Sequence, residues 1–312
     1  MKKIFTTLSV VLCTLCLSNA QTLEQVTELF NNAAQMLDAD NKAEAVKLFE
    51  DAFTQATALG ESGNEIAGQC KDILPKLYLS IGKDKAVDKD YDGAIATVRE
   101  AIASAEKFSD EEVAAEAKEL VSQLMMAKAN GLLSAKNLAG AIAAYNEIIA
   151  AEPENGTAYL RLGQALSAGG KVDEAITAFQ KAVEFGEQED ASKQLSNVFL
   201  KKAVACQKAK DNKGALENAQ KSAEYNDNPT AQKLIGLSAL GLKQNKTAAD
   251  AFEAYLAMSP NAKDKSQIMY QLGTALIATG DNAKACGYFK QIAQDPKWGE
   301  AARYQITVLK CN

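Results

Sequence analysis

The chain has 312 residues, with 34 basic and 40 acidic side chains, a formal net charge of −6 and no histidine. No basic stripe is present to hold nucleic acid. Without histidine, no side chain of ordinary pKa is available as a general base near neutral pH.

Lys2 and Lys3 give the chain a short basic start, Ile4 to Leu17 is apolar, and Ser18-Asn19-Ala20 has the small residues of a leader-cleavage site. The apolar stretch is short for a bilayer span, and no stop-transfer segment follows it. Residues 1–20 therefore read as a secretory signal peptide and residues 21–312 as the exported chain, with no transmembrane segment. Cys13 and Cys16 follow Leu12 and Leu15, where a lipid anchor needs a small residue. Removing the leader leaves 32 basic against 40 acidic residues, an acidity expected to be spread over outward helix faces for solubility.

From Thr22 onward the pattern is helical. Thr22 and Gln25 predict a capped helix start; Leu29, Ala33 and Met36 follow on one helix, and Ala45, Phe49 and Ala52 on the next. Ile66 to about Val87 predicts a long helix, which Pro75 either kinks or restarts. It carries Tyr78, Ile81 and Gly82, and Ala94 and Ala101 mark its partner. Ser109 with Glu112 reads as a capping box that opens a helix running to about Ser134. Ala129 and Leu132 lie on that helix, with Ala141 and Tyr145 on the following one.

The clearest unit starts at Tyr159. Leu162, Gly163 and Leu166 share one helix face, Gly169-Gly170 ends that helix, and Asp173 to Val183 predicts a second with Ala175, Phe179 and Ala182 inward. Gly163 is expected to face Ala175, with Phe179 filling the wider end. Phe199, Ala203, Cys206 and Ala215 form a degenerate copy. Ile235, Gly236, Ala248, Phe252, Tyr255 and Pro260 form another, and Met269, Leu272, Gly273, Leu276, Ala285 and Phe289 the last. Pro153, Pro229, Pro260 and Pro296 all fall between predicted helices. Gly299 to Lys310 predicts a closing helix, with Trp298 packing at its joint.

One alanine recurs through the series, at Ala45, Ala94, Ala141, Ala175, Ala215, Ala248 and Ala285, at spacings of 49, 47, 34, 40, 33 and 37. Four residues after each stands Phe49, Val98, Tyr145, Phe179, Ala219, Phe252 or Phe289. A period of this size marks stacked supersecondary units that bury their apolar faces only against neighbours. Tyr159, Leu162, Gly163, Leu166, Ala175, Phe179 and Ala182 resemble the tetratricopeptide-repeat pattern at nearly every signature position, and the other copies follow the same grid. The resemblance covers nearly all of residues 21–312. It implies an all-α, right-handed solenoid of seven helix hairpins, at about 26–59, 75–108, 122–155, 156–189, 196–228, 229–262 and 266–298, with a capping helix at 299–310.

The resemblance further implies that first helices line a concave wall that binds a peptide or helix of a protein partner. The side chains it places there are Phe30, Leu37, Leu79, Lys83, Met126, Asn130, Leu133, Leu160, Gln164, Leu200, Val204, Leu237, Leu240, Tyr270 and Ile277, some of them shared with packing between repeats. Some members of the family clamp a terminal carboxylate with lysine, arginine and asparagine. Lys83 and Asn130 fit such positions, but Met126 and Leu160 stand where further cations belong, so that clamp is not assembled.

Four cysteines remain beyond the leader. Cys286 begins a second helix and Cys311 follows one further helix, so an antiparallel pairing brings both to the same end, as a disulfide or as two buried thiols. Cys206 occupies a core position and reads as a buried thiol; Cys70 is left open. No nucleophile elbow, phosphate loop or metal-ligand spacing occurs, so no enzyme, cofactor or metal is expected. The functional expectation is an exported protein-binding scaffold in the periplasm of a Gram-negative bacterium. The alternative is an accessory carbohydrate-binding protein of a surface nutrient-uptake system, which the single tryptophan and the missing lipid anchor disfavour.

Overall fold

The computed structural model describes residues 22–311, which hold fifteen α-helices, one 3-10 turn and no strand. The leader read at residues 1–20, with Cys13 and Cys16, lies outside the described residues. The helices are α1 Leu23–Asp38, α2 Lys42–Ala58, α3 Asn64–Val87, α4 Tyr91–Phe108, α5 Glu111–Ser134, α6 Leu138–Ala151, α7 Gly156–Ala168 and α8 Val172–Glu184. They continue as α9 Gln188–Lys208, α10 Asn212–Tyr225, α11 Pro229–Gly241, α12 Asn245–Met258, α13 Lys265–Thr279, α14 Asn282–Gln291 and α15 Gly299–Val308. Odd and even helices pair as hairpins in α1/α2, α3/α4, α7/α8, α9/α10, α11/α12 and α13/α14, Asn130 of α5 bonds Tyr145 of α6, and α15 packs on α14. The chain divides into two compact units, the first ending at Lys128 and the second beginning at Ala129.

Each hairpin turns by the same device. Asp40, Lys89, Lys136, Gly170, Lys210, Lys243 and Gly280 all have φ between 58° and 86°, and each stands five residues before the recurrent alanine. The next residue's N–H reaches back five residues to a helical carbonyl, as in Asn41 to Met36, Asn137 to Leu132 and Asp281 to Leu276, at 2.8–2.9 Å. This is the six-to-one bond of a Schellman end, which requires one left-handed residue. Asn41, Asp90, Asn137, Asp211 and Asp281 then cap the following helix, their side chains accepting from the N–H three residues on.

The start of α5 departs from its reading. Ser109 does not cap that helix but is itself the left-handed residue ending α4, at φ 63°. Asp110 supplies the cap, its Oδ1 accepting from the Val113 N–H at 3.1 Å. The sequence holds two adjacent side chains able to cap, and the Schellman geometry of α4 uses up the first. The Thr22–Gln25 capping box forms as expected. Pro75 lies inside α3, which runs through it without a break.

All seven recurrent alanines are fully buried, and so are the seven residues four positions on. Gly163 lies under the ring of Phe179, where a Cβ would fall 2.6 Å from two ring carbons. Gly236 under Phe252 and Gly273 under Phe289 repeat the contact, and Gly82 lies likewise against Val98. A small residue thus stands sixteen positions before its bulky partner, which lets the two helices of a hairpin close on one another.

In the first unit, Val26, Phe49 and Leu74 belong to one core cluster, and Leu79, Val98, Val113 and Leu124 to another. In the second, one cluster runs from Ala203 in α9 to Ala302 in α15. Cys286 and Cys311 form a disulfide with Cα atoms 5.6 Å apart, fastening the end of α15 to α14. Trp298 lies at the joint, 5.2 Å from the Tyr270 ring. Cys70 is buried, and burial pushes its thiol up to about 11. Cys206, read as a buried thiol, is only half-buried.

Candidate partner-binding site

The residues named for a binding wall all lie on odd-numbered helices, and their exposure separates them. Leu79 and Leu160 are 4% and 5% exposed and belong to the core; neighbouring helices cover them, so they offer almost no surface. Phe30 is half-buried and meets Phe49 edge to face at 5.3 Å. Met126 is half-buried on α5. In the second unit, Leu200, Val204, Leu237 and Tyr270 are half-buried at the rim of a single cluster, together with Leu240 and Ile277. Leu200 and Val204 are one turn apart on α9, so both present the same face.

The polar members are engaged within the chain. Lys83 pairs with Glu116 at 2.6 Å. Asn130 accepts the Tyr145 hydroxyl at 2.7 Å, and Gln164 accepts from Arg161 at 3.1 Å. Two further polar groups staple helices together. Asp264 accepts from the Tyr255 hydroxyl at 2.6 Å and from Lys233 at 2.8 Å. Burial and that bond push the Tyr255 phenol up to about 12. The Ser196 and Ser222 hydroxyls, both buried, meet at 2.9 Å.

Two clefts lie elsewhere, each formed by the second helix of one hairpin and both helices of the next. The first unit holds one of ≈ 230 Å³ among α2, α3 and α4, lined by Glu50, Phe53, Tyr78, Glu100, Lys107 and Phe108 among others. The second unit holds one of ≈ 280 Å³ among α6, α7 and α8, with Ile142, Tyr159, Leu162, Thr177 and Lys181 in its wall. No residue named for the concave wall lines either cleft. Tyr78 and Tyr159 occupy the same place in their hairpins, four residues before Gly82 and Gly163, and that recurrence was the signal available in the sequence. Tyr159 stacks on Phe185 at 5.6 Å with Lys181 over the Phe185 ring. Phe199 stacks on Tyr225 at 5.8 Å with Lys221 over the Phe199 ring.

The acidity is concentrated in the first unit. Residues 22–128 carry 21 acidic and 11 basic side chains, net −10, whereas residues 129–311 carry 19 acidic and 21 basic, net +2. The first unit alone therefore has a strongly negative field.

Helix hairpins with a repeated small-residue contact and apolar side chains left open on their first helices define a helical-repeat binding protein. The model of the tetratricopeptide-repeat family matches residues 126–190 and 233–301. Proteins of this family bind protein partners. No protein of curated function matches the sequence. Among solved structures, the MamA protein is 21% identical over 59% of this chain and 94% of its own, with a TM-score of 0.36. MamA residues 41 to the end from Desulfovibrio magneticus RS-1 are 20% identical over 56% of this chain and 97% of their own, TM-score 0.35. YrrB, described as a TPR protein with an unusual peptide-binding site, is 20% identical over 58% of this chain and 91% of its own, TM-score 0.35. Among the described residues, no helix is long and apolar enough to cross a membrane.

Proposed function

We propose that the chain is an exported scaffold, acting in the periplasm of a Gram-negative bacterium, that holds a peptide or helix of an envelope protein against its first helices. The observation that carries the reading is the run of half-buried Leu200, Val204, Leu237 and Tyr270 around one core cluster of the second unit. An apolar rim of this kind, left without a covering helix, suits the apolar side of an amphipathic segment. Export rests on the basic start, apolar stretch and small-residue site of residues 1–20.

The test places a photo-crosslinking amino acid at Val204 or Leu237 and irradiates intact cells. One or two envelope proteins should dominate the adducts by mass spectrometry. Adducts as diverse as those from a probe at exposed Lys213, on the second helix of its hairpin, would refute the reading. Retention of the whole chain in the cytoplasm with residues 1–20 intact would refute the localisation.

A further inference from the structure

The cleft among α2, α3 and α4 lies apart from the first-helix residues to which partner binding is assigned above, and its chemistry is different. Its walls are aromatic: Phe53 and Phe108 meet edge to face at 5.0 Å, and Tyr78 contributes to the same lining. Two carboxylates join them. Glu50 accepts the Tyr78 hydroxyl at 2.6 Å, and Glu100 lies near that hydroxyl. Neither carboxylate belongs to an ion pair among the described residues, although Glu106 and Asp92 on the same helix are paired with Lys118 and Lys128. The cation in the lining, Lys107, is exposed, and its ammonium sits over both phenyl rings, 5.1 and 5.2 Å from their centroids. The protein's own cation thus covers the ring faces and leaves the carboxylates open.

We propose that this cleft takes a lysine or arginine side chain from a basic segment of a protein partner. The incoming cation pairs with Glu50 and Glu100, its apolar stem lies along Phe53 and Phe108, and Lys107 is displaced from the rings. Aromatic faces and carboxylates attract the same cationic group, and a long basic side chain brings the apolar stem that the rings need. The net −10 of the surrounding unit draws a basic segment toward the cleft.

The test titrates fluorescein-labelled hexa-arginine into the full chain at physiological ionic strength and follows anisotropy. The unsubstituted chain should bind. The double variant Glu50→Gln, Glu100→Gln should bind about tenfold more weakly, the effect of losing two partly exposed ion pairs. The control Glu24→Gln, Glu28→Gln removes equal charge from exposed α1 and should change affinity by less than about twofold, since screening weakens remote charges. Lys107→Gln should tighten binding by freeing the rings. Three results overturn the proposal: no binding to the unsubstituted chain, equal losses in both double variants, or spermidine binding as tightly as the peptide. The last outcome would assign the cleft to a free polyamine. Should the cleft variant unfold by circular dichroism, Lys107→Gln decides the matter, and unchanged or weaker binding refutes the proposal. These outcomes leave the crosslinking test at Val204 and Leu237 untouched, so the two readings fail separately.

Discussion

Gly163 and Phe179 share one space: the ring lies where a Cβ on the glycine would be, 2.6 Å from the nearest ring carbons. The same relation joins Gly236 to Phe252 and Gly273 to Phe289. It is the contact that fixes how closely the two helices of a hairpin approach.

Gly163→Ala should therefore destabilise the second unit by about 1–3 kcal/mol, because the buried ring must move off its rotamer or the helices must part. Gly131 is the contrast. It lies inside α5 with nothing within 4 Å of its missing Cβ. Gly131→Ala should stabilise by about 0.5–1 kcal/mol through helix propensity alone. Urea melts of both variants check the pair; equal signs would show that the ring does not set the spacing.

The hairpin turns predict a second pair of opposite effects. Lys136 holds φ 59°, a left-handed conformation that costs a residue with a Cβ about 1–2 kcal/mol. Lys136→Gly relieves that cost but adds unfolded-chain entropy, so a net gain of about 0.5–1 kcal/mol is expected. Gly170 holds φ 77° at the corresponding place, and Gly170→Ala should lose about 1 kcal/mol. Denaturation midpoints of the two variants moving in the same direction would contradict the shared turn geometry.

Leu160 and Leu200 occupy matching places in adjacent hairpins but differ in burial. Leu160→Lys puts an ammonium into a site 5% exposed and should cost about 3–5 kcal/mol, as an unpaired buried charge does. Leu200→Lys lies at the rim, where the ammonium reaches water while its stem packs, so about 1 kcal/mol is expected. Leu200→Lys should therefore keep its helical content and melt while losing partner capture. A collapse of both variants on heating would place Leu200 in the core.

Cys70 gives a pH dependence of defined sign. Its folded pKa stands at about 11, above the ordinary thiol value of 9.0, because burial opposes the thiolate. The unfolded chain therefore loses this proton first as pH rises. Stability should be unaffected below about pH 9 and fall by about 2 kcal/mol between there and about pH 11. Cys70→Ala should remove that part of the fall, leaving the later loss from Tyr255, whose phenol is pushed up to about 12. Urea midpoints across the range, compared between the two chains, test this. A parallel decline in both would clear Cys70 of any part in it.

The hairpin register was legible in the sequence because its determinants are local. The recurrent alanine, the small residue before it and the residue four positions after it, bulky in all copies but the one with Ala219, all lie within one hairpin, and all seven sets fall in the core where the pattern put them. Helix starts and stops were legible for the same reason, except where Ser109 and Asp110 competed for one cap and the geometry of the preceding helix end decided. The seating of the Phe179 ring directly over Gly163 depended on the rotation of one helix against the other, which residue spacing leaves free.

What only the tertiary structure decided is which first-helix side chains reach the surface. Leu160 and Leu200 read alike, yet a neighbouring hairpin covers one and leaves the other at the rim. The Glu50–Tyr78–Glu100 cleft was hidden for the same reason, since its walls come from α2, α3 and α4 and no single hairpin contains them. Periodicity encodes a helix's inward face and the partner sixteen residues away. Exposure and cleft shape are made between hairpins, by side chains whose meeting is set by packing over longer stretches of chain.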